Sequence, residues 1–110
     1  MKILTYCSNG GKDLIREFLD NLPLRESVEG YYILEHLELE GYEFLKTLTT
    51  RQIENKLWEI KYPRHNRIFY AVLQDDVMFL LHACKKQKSK AERFELEKAK
   101  KRMKDALSEE

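Results

Sequence analysis

Lys61, Arg64, Arg67, Lys85, Lys86 and Lys88 stand at the ends of three apolar runs between Leu57 and Lys90, with Glu59 and His82 inside those runs. Cations with a carboxylate and an imidazole are the parts needed to cleave RNA without a metal. Attack of a ribose 2′-OH on its own phosphate needs a base for that hydroxyl, positive groups on the phosphate oxygens and an acid for the departing 5′ oxygen. Arginine suits bidentate contact with a phosphate. Lysine supplies a point charge, and transfers protons when neighbouring cations lower its pKa. The plain alternative is a set of strand ends whose charges reach solvent, and a lone strand histidine such as His82 is more often structural than catalytic. Three scattered histidines without a DxD or HxxxH pattern give no metal-ligand set. Ser8-Asn9-Gly10-Gly11 is a turn signal without the spacing of a phosphate loop. Neither a metal nor a cofactor is expected.

The elements that must position these groups are three strands, about Leu57–Tyr62, Arg67–Leu73 and Val77–Lys86, rich in β-branched and aromatic residues. Asp75-Asp76 is the expected hairpin turn, and Pro63-Arg64-His65-Asn66 is the other loop. If Gln74 faces Val77, one face carries Ile68, Tyr70, Val72, Val77, Phe79, Leu81 and Ala83, all apolar or aromatic. The other carries Arg67, Phe69, Ala71, Leu73, Met78, Leu80, His82, Cys84 and Lys86, and turns basic at the end away from the turn. A five-residue loop sets Lys61 opposite Arg67 and Glu59 opposite Phe69, and adds Trp58 and Ile60 to the apolar face. A four-residue loop would bury both Glu59 and Lys61 in the core, at a cost that favours the longer loop. The expectation is a sheet with one core face and one open, RNA-handling face.

The rest of the chain supplies the cover. Ile3–Cys7 reads as a short strand. Leu14, Ile15, Phe18, Leu19 and Leu22 fall within an arc of about 140° on a helix broken at Pro23. A second helix runs from Pro23 to Glu40 and stops at Gly41. Its apolar residues spread over two sides, Leu24, Val28, Tyr31, Tyr32 and Leu39 against Ile33, Leu34 and Leu37. It therefore touches either a partner or simply helix one and the sheet; Tyr31, Tyr32 and Phe44 are read as core. Phe44–Thr50 is a connector or short strand and Arg51–Asn55 is polar. Lys90–Leu107 is a last helix with an apolar stripe of Leu96, Ala99, Met103, Ala106 and Leu107. These elements give an α+β fold in a single domain, residues 1–110, with an N-terminal αα-hairpin.

With 43% hydrophobic residues and twelve aromatics the chain can build a core, while its net charge of +1 hides a polarity. Residues 1–43 carry four Lys/Arg against nine Asp/Glu, and residues 46–104 carry sixteen against seven. Segregation of this kind suits a polyanionic partner. Cys7 and Cys84 form no CxxC pair and are expected as core thiols in a reducing compartment. No signal-like or membrane-spanning apolar run is present, so a cytoplasmic location is expected.

The strings LWEIKY, NRIFYAV and VMFLLHACKKQKSK, then Glu95, Ala99, Lys100 and Arg102 in an ExxxAKxR pattern, resemble the HigB-type, phage-derived branch of the RelE/ParE toxin superfamily. KDLIREFLDNLP and the helix ending at Glu40-Gly41 extend the resemblance over residues 2–104. It implies a RelE-like fold of order βααβββα. It also implies a type II toxin that cleaves mRNA in the ribosome without a metal, restrained by a HigA-like helix-turn-helix antitoxin. By position, the family's basic residues fall on Lys61, Arg67, Lys85 and Lys86. Glu59 stands where RelE is basic, and Glu92 lies near the place of the family's C-terminal tyrosine. The resemblance points to Lys61 or Glu59 as base and to Arg67 and Lys86 on the phosphate, with Arg64, His82, Lys85 and Lys88 along the RNA. A ParE-like inhibitor of DNA gyrase, or a non-catalytic RNA- or ribosome-binding module using the lysine-rich last helix, are the alternatives.

Overall fold

The computed structural model describes residues 1–74 and 76–108. The elements run β1 (Lys2–Thr5), α1 (Leu14–Asp20), α2 (Leu24–Glu40), α3 (Tyr42–Leu45), β2 (Thr49–Glu54), β3 (Leu57–Tyr62), β4 (Asn66–Val72), β5 (Val77–Lys85) and α4 (Ser89–Ser108). The five strands form one sheet in the order β1-β5-β4-β3-β2, with β1 parallel to β5 and every other pair antiparallel. This is a mixed α+β architecture closed by a C-terminal helix.

The local chemistry explains the helix ends. Asp13 caps α1: its Oδ1 accepts from the backbone N–H groups of Ile15 (3.1 Å) and Arg16 (3.0 Å), and its Oδ2 from the Thr5 hydroxyl (2.7 Å). A cap of this kind contributes about 1 kcal/mol. Pro23 occupies the N-cap position of α2, and Gly41, at φ +61°, ends it with its N–H on the Leu37 carbonyl. That left-handed turn explains the glycine.

One face of the sheet packs Ile60, Tyr62, Ile68, Tyr70, Met78 and Leu80 against Ile15 and Leu19 of α1 and Ile33, Leu34 and Leu37 of α2. The second face, expected to be open, is covered. There Leu57, Phe69, Ala71, Leu81 and Cys84 meet Ala99 and Ala106 of α4, with Leu96 and Met103 beside them. The apolar stripe of α4 needs a surface, and the far side of the sheet supplies it.

The β3–β4 register is the expected one: Lys61 opposite Arg67 and Glu59 opposite Phe69. The β4–β5 register holds only in part. Asn66 through Phe69 pair with Lys85 through His82, but a bulge shifts the ladder so that Tyr70 meets Leu80 and Val72 meets Met78. The extra residue in β5 moves Met78 and Leu80 to the α1–α2 face and Phe79 and Leu81 to the α4 face, the reverse of the parity reading. The turn assigned to Asp75-Asp76 lies at Asp75 outside the described residues.

Other expectations change too. Thr49–Glu54 is an edge strand: of the connector and short-strand readings of Phe44–Thr50 the strand holds at Thr49 and Thr50, and the polar stretch from Arg51 continues it. The αα-hairpin is not evident as a unit: α1 has only seven residues and lies mainly against β5. Cys7 is exposed while Cys84 is buried. Tyr32 is half exposed, whereas Tyr31 and Phe44 pack at the core margin.

Gly30 marks the closest approach of α2. A Cβ there would stand 2.5 Å from Leu19 Cδ2 and 2.7 Å from the Tyr62 hydroxyl. Gly30→Ala gains up to about 1 kcal/mol of helix propensity but overpacks the site at a cost of about 1–3 kcal/mol. A net loss of about 1 kcal/mol is expected, read as a lower urea midpoint at unchanged m-value.

Candidate active site

The β3–β4 hairpin builds the site. Strand pairing sets Lys61 beside Arg67, and Tyr62 opposite Asn66 closes the connection over Pro63, Arg64 and His65. His65 takes a left-handed φ of 61°, and its carbonyl accepts the Lys86 N–H at 2.8 Å, which brings the end of β5 against the loop. The result is a cavity of about 350 Å³ lined by Lys61, His65, Arg67, Lys86, Thr49 and Asn66 among others.

Behind this cavity Arg67 is clamped between two carboxylates. Its Nε and Nη2 each lie 2.5 Å from Glu59 Oε2, and its Nη1 donates to both Glu92 oxygens at 2.7 and 2.8 Å. Glu59 has no exposed surface, and its Oε1 also faces Arg51 (3.1 Å) and Lys61 (3.8 Å). Burial opposes the guanidinium charge, but the two carboxylates outweigh it and raise the Arg67 pKa. The same guanidinium lies over the Phe69 ring at 4.8 Å, and Phe69 stacks on His82.

His82 belongs to a second polar cluster under α4. Arg102 Nη1 reaches the Leu81 carbonyl (3.1 Å) and His82 Nδ1 (3.2 Å), while His82 Nε2 lies 2.8 Å from Glu95 Oε2. Arginine can only donate. Nδ1 therefore accepts, and Nε2 carries the proton towards Glu95. Burial lowers the His82 pKa, aided by Arg102 and Lys98 and opposed by Glu95. Burial pushes the Cys84 thiol up, with Glu95 adding to the effect. For Glu95 itself burial acts upward, yet hydrogen bonds from Cys84 and His82 leave its pKa lowered. His82, Cys84 and Glu95 place one ligand-type atom each within 4.8 Å of one another. A metal there would have to displace the Nε2 proton while Arg102 still donates to Nδ1, and Lys98 adds repulsion, so the donor set does not suit a cation.

Of the residues selected from sequence, Lys61, Arg67 and Lys86 meet at the cavity. Glu59 stands behind Arg67 and does not line it. Lys85 is drawn aside, paired with Glu26 of α2 and bonded to the Arg64 carbonyl at 2.9 Å. Glu26 also accepts from Asn66 at 2.8 Å, and its pKa is lowered chiefly by Lys85, then by Asn66. Arg64 and Lys88 are exposed on the loop and on the segment before α4. His82 lies under α4, away from the cavity.

Two residues escaped the sequence reading. His65 was placed only in a loop; its position at the tip between two basic strand ends was the available signal. Glu92 was noted only as standing near a missing tyrosine. It lies on the same helical arc as Ala99 and Met103, which marks it as facing the sheet.

Because Glu92 occupies one edge of Arg67, Glu92→Gln is expected to bind a short RNA about tenfold more tightly at low salt, by releasing a charge-assisted pair. Fluorescence anisotropy checks this, and an unchanged Kd would show that Arg67 stays closed. Acid sensitivity follows from the lowered pKa values. His82 gives stability that is complete above its ordinary value of 6.5 and is lost as pH falls, because the unfolded chain then binds the extra proton. Glu95 and Glu26 add a second loss below their ordinary 4.5. Urea midpoints from about pH 8 to about pH 4 should therefore fall in two stages, and His82→Gln should remove the first.

No curated protein matches the chain. The sequence model of one family, described as Phage derived protein Gp49-like (DUF891), matches residues 17–104. That span starts within α1, takes in the whole β3–β4 hairpin and ends near the close of α4. It covers most of the chain, which therefore belongs to the Gp49-like, phage-derived family, a RelE-like family of toxins from type II toxin–antitoxin systems.

Proposed function

We propose that the protein is a ribosome-dependent mRNA endoribonuclease with a RelE-like fold, the toxin of a type II pair, held in check by a HigA-like helix-turn-helix antitoxin. The observation that carries this is the convergence of Lys61, Arg67, Lys86 and His65 on one cavity at the end of the sheet. A scissile phosphate set among these cations would have its developing charge stabilised by fixed positive groups. The 2′ oxygen bonds to phosphorus as its proton passes to a base, the bond to the 5′ oxygen breaks, and an acid returns a proton to that oxygen. Lys61 and His65 are the groups with access for the two proton transfers. Lys86 stabilises the phosphate directly, and Arg67, almost wholly buried at the cavity wall, adds its charge from behind. Glu59 takes the role of a positioning residue that holds Arg67 and Lys61, in place of the base expected for it. The three cations repel a divalent metal and His65 alone among them is a ligand-type side chain, which favours metal-independent chemistry. Arg64, Lys88 and the exposed part of Lys85 extend the positive surface along which RNA would run.

Lys61 and Lys86 carry the test, because neither is buried and each can be truncated without opening the core. Lys61→Ala and Lys86→Ala are each expected to slow cleavage by about 10²-fold at wild-type Tm. The measurement is mapping of mRNA 5′ ends after induction, with and without translation. Cleavage at the wild-type rate by both variants would remove the site assignment. Replication arrest with intact mRNA would replace the reading with gyrase inhibition.

A further inference from the structure

On the sheet face that α1 and α2 cover, one large aromatic stays out of the core. Trp58 shares a face of β3 with Ile60 and Tyr62 and sits opposite Tyr70 of β4, yet it is 36% exposed. It lines a slot of about 440 Å³ bounded by the β2–β3 hairpin and by α3, whose Tyr42 is 42% exposed. Three aromatic rings around one slot suit a flat ligand that can stack.

The polar groups of the slot are open. Tyr70 is 3% exposed and lines it, but its hydroxyl has no hydrogen-bond partner among the described residues. A buried hydroxyl of this kind takes its hydrogen bond from whatever enters beside it. Burial pushes the Tyr70 pKa up to about 12, so the phenol stays neutral and can donate or accept. The charged side chains of the lining are both cations, Lys46 and Lys56. Lys46 pairs with Glu43 at 3.2 Å in an exposed contact that holds it weakly, and Lys56 has no ion pair among the described residues. Rings flanked by lysines suit a nucleic acid strand. A proline-rich protein segment would use the rings and leave the lysines idle.

The slot also adjoins the cavity. Thr50 lines the slot and Thr49 the cavity, on the edge strand β2 whose successive side chains point to opposite faces. Trp58 and Lys61 are three residues apart on β3, about 10 Å along the strand. A short stretch of single strand held at Lys61 and Lys86 reaches the slot over this edge.

We infer that the slot takes an unpaired base of the RNA strand, stacked on Trp58, with its edge against the Tyr70 hydroxyl and its phosphates beside Lys46 and Lys56. The strand that supplies the base is the substrate of the nuclease reading, on which this assignment rests. Trp58 and Tyr70 then help decide which nucleotide lies near the cut.

Trp58 is the one tryptophan of the chain, so its fluorescence reports the slot. At low salt a short single-stranded RNA, with every 2′ oxygen methylated so that it cannot attack, is expected to quench that fluorescence saturably. The same backbone without bases should bind without quenching. AMP, lacking neighbouring phosphates, should need a concentration about tenfold higher or more. Trp58→Ala should weaken binding of the labelled RNA about tenfold by anisotropy, and Trp58→Phe should retain most of it. Tyr70→Phe, which keeps the ring, should hold its Tm and blunt the preference among strands of A, C, G or U alone. Unquenched fluorescence in the presence of the RNA, equal quenching by the baseless backbone, or wild-type binding by Trp58→Ala would each overturn the inference. So would an unchanged base preference in Tyr70→Phe. AMP binding as tightly as the strand would make a free nucleotide the ligand, and a proline-rich peptide that quenches more strongly than RNA would make it a protein; either result sinks the RNA assignment. None of these readouts contains a cleavage step. Loss of the nuclease reading would leave the quench standing, and Lys61→Ala should lose cleavage while keeping it.

Discussion

A single guanidinium, Arg67, ties the sheet to the helix that closes it. It is almost wholly buried, and its charge is matched on one side by Glu59 from the neighbouring strand and on the other by Glu92 from α4. Removing one partner from such a group leaves an uncompensated buried charge, at a cost of about 3–5 kcal/mol. A lysine could not replace it, because a compact ammonium lacks the planar fork that serves two carboxylates in different directions. The three-member set therefore fixes two things together: the β3–β4 register that brings Lys61 to the cavity, and the seating of α4.

The electrostatics of the site follow from the same arrangement. Glu59 faces three cations, Arg51, Lys61 and Arg67. Glu92 offsets one of these charges, and Lys86 adds another at the rim. The cavity thus stays positive although its strongest donor is engaged. Glu92 presents to Arg67 the two oxygens that a phosphate would present, so a phosphate brought to that guanidinium would have to displace a carboxylate already in place.

Much of this could be read from sequence, and the failures have particular causes. Keeping Glu59 and Lys61 off the apolar face was enough to choose the correct hairpin register, although Glu59 is buried on the other face, against Arg67. Gly41 and Pro23 marked the ends of α2 because each has a backbone reason to be there. The inward and outward order of Met78 to Leu81 was not legible: all four are apolar, so no side-chain penalty reveals the bulge that exchanges them. The edge strand β2 was hidden because an edge needs little apolar content, and Thr49, Arg51, Gln52 and Glu54 look like a loop. The cover over the second face was missed for the opposite reason. Glu95 and Arg102 enter the sequence reading only through the ExxxAKxR pattern and Glu92 only through its place near a tyrosine, although their spacing puts them on or beside the arc of Ala99 and Met103, where each finds a polar partner in the sheet. His65 was overlooked because loop residues carry no periodic pattern, and only the closed hairpin shows where the tip points.

The bulged, two-faced sheet has a consequence for how the molecule comes into being. In a chain made from its N-terminus, β1, α1, α2 and the hairpins all emerge before residues 89–108. Until those last residues arrive, Phe69, Ala71 and Leu81 lack their cover and Arg67 has only one of its two carboxylates. The face that meets α4 is thus the last to be completed, and the nascent molecule passes through a stage at which a sticky apolar surface lies next to the cationic pocket. In chain order, the layer of α1 and α2 precedes the layer that α4 lays over the second face of the sheet.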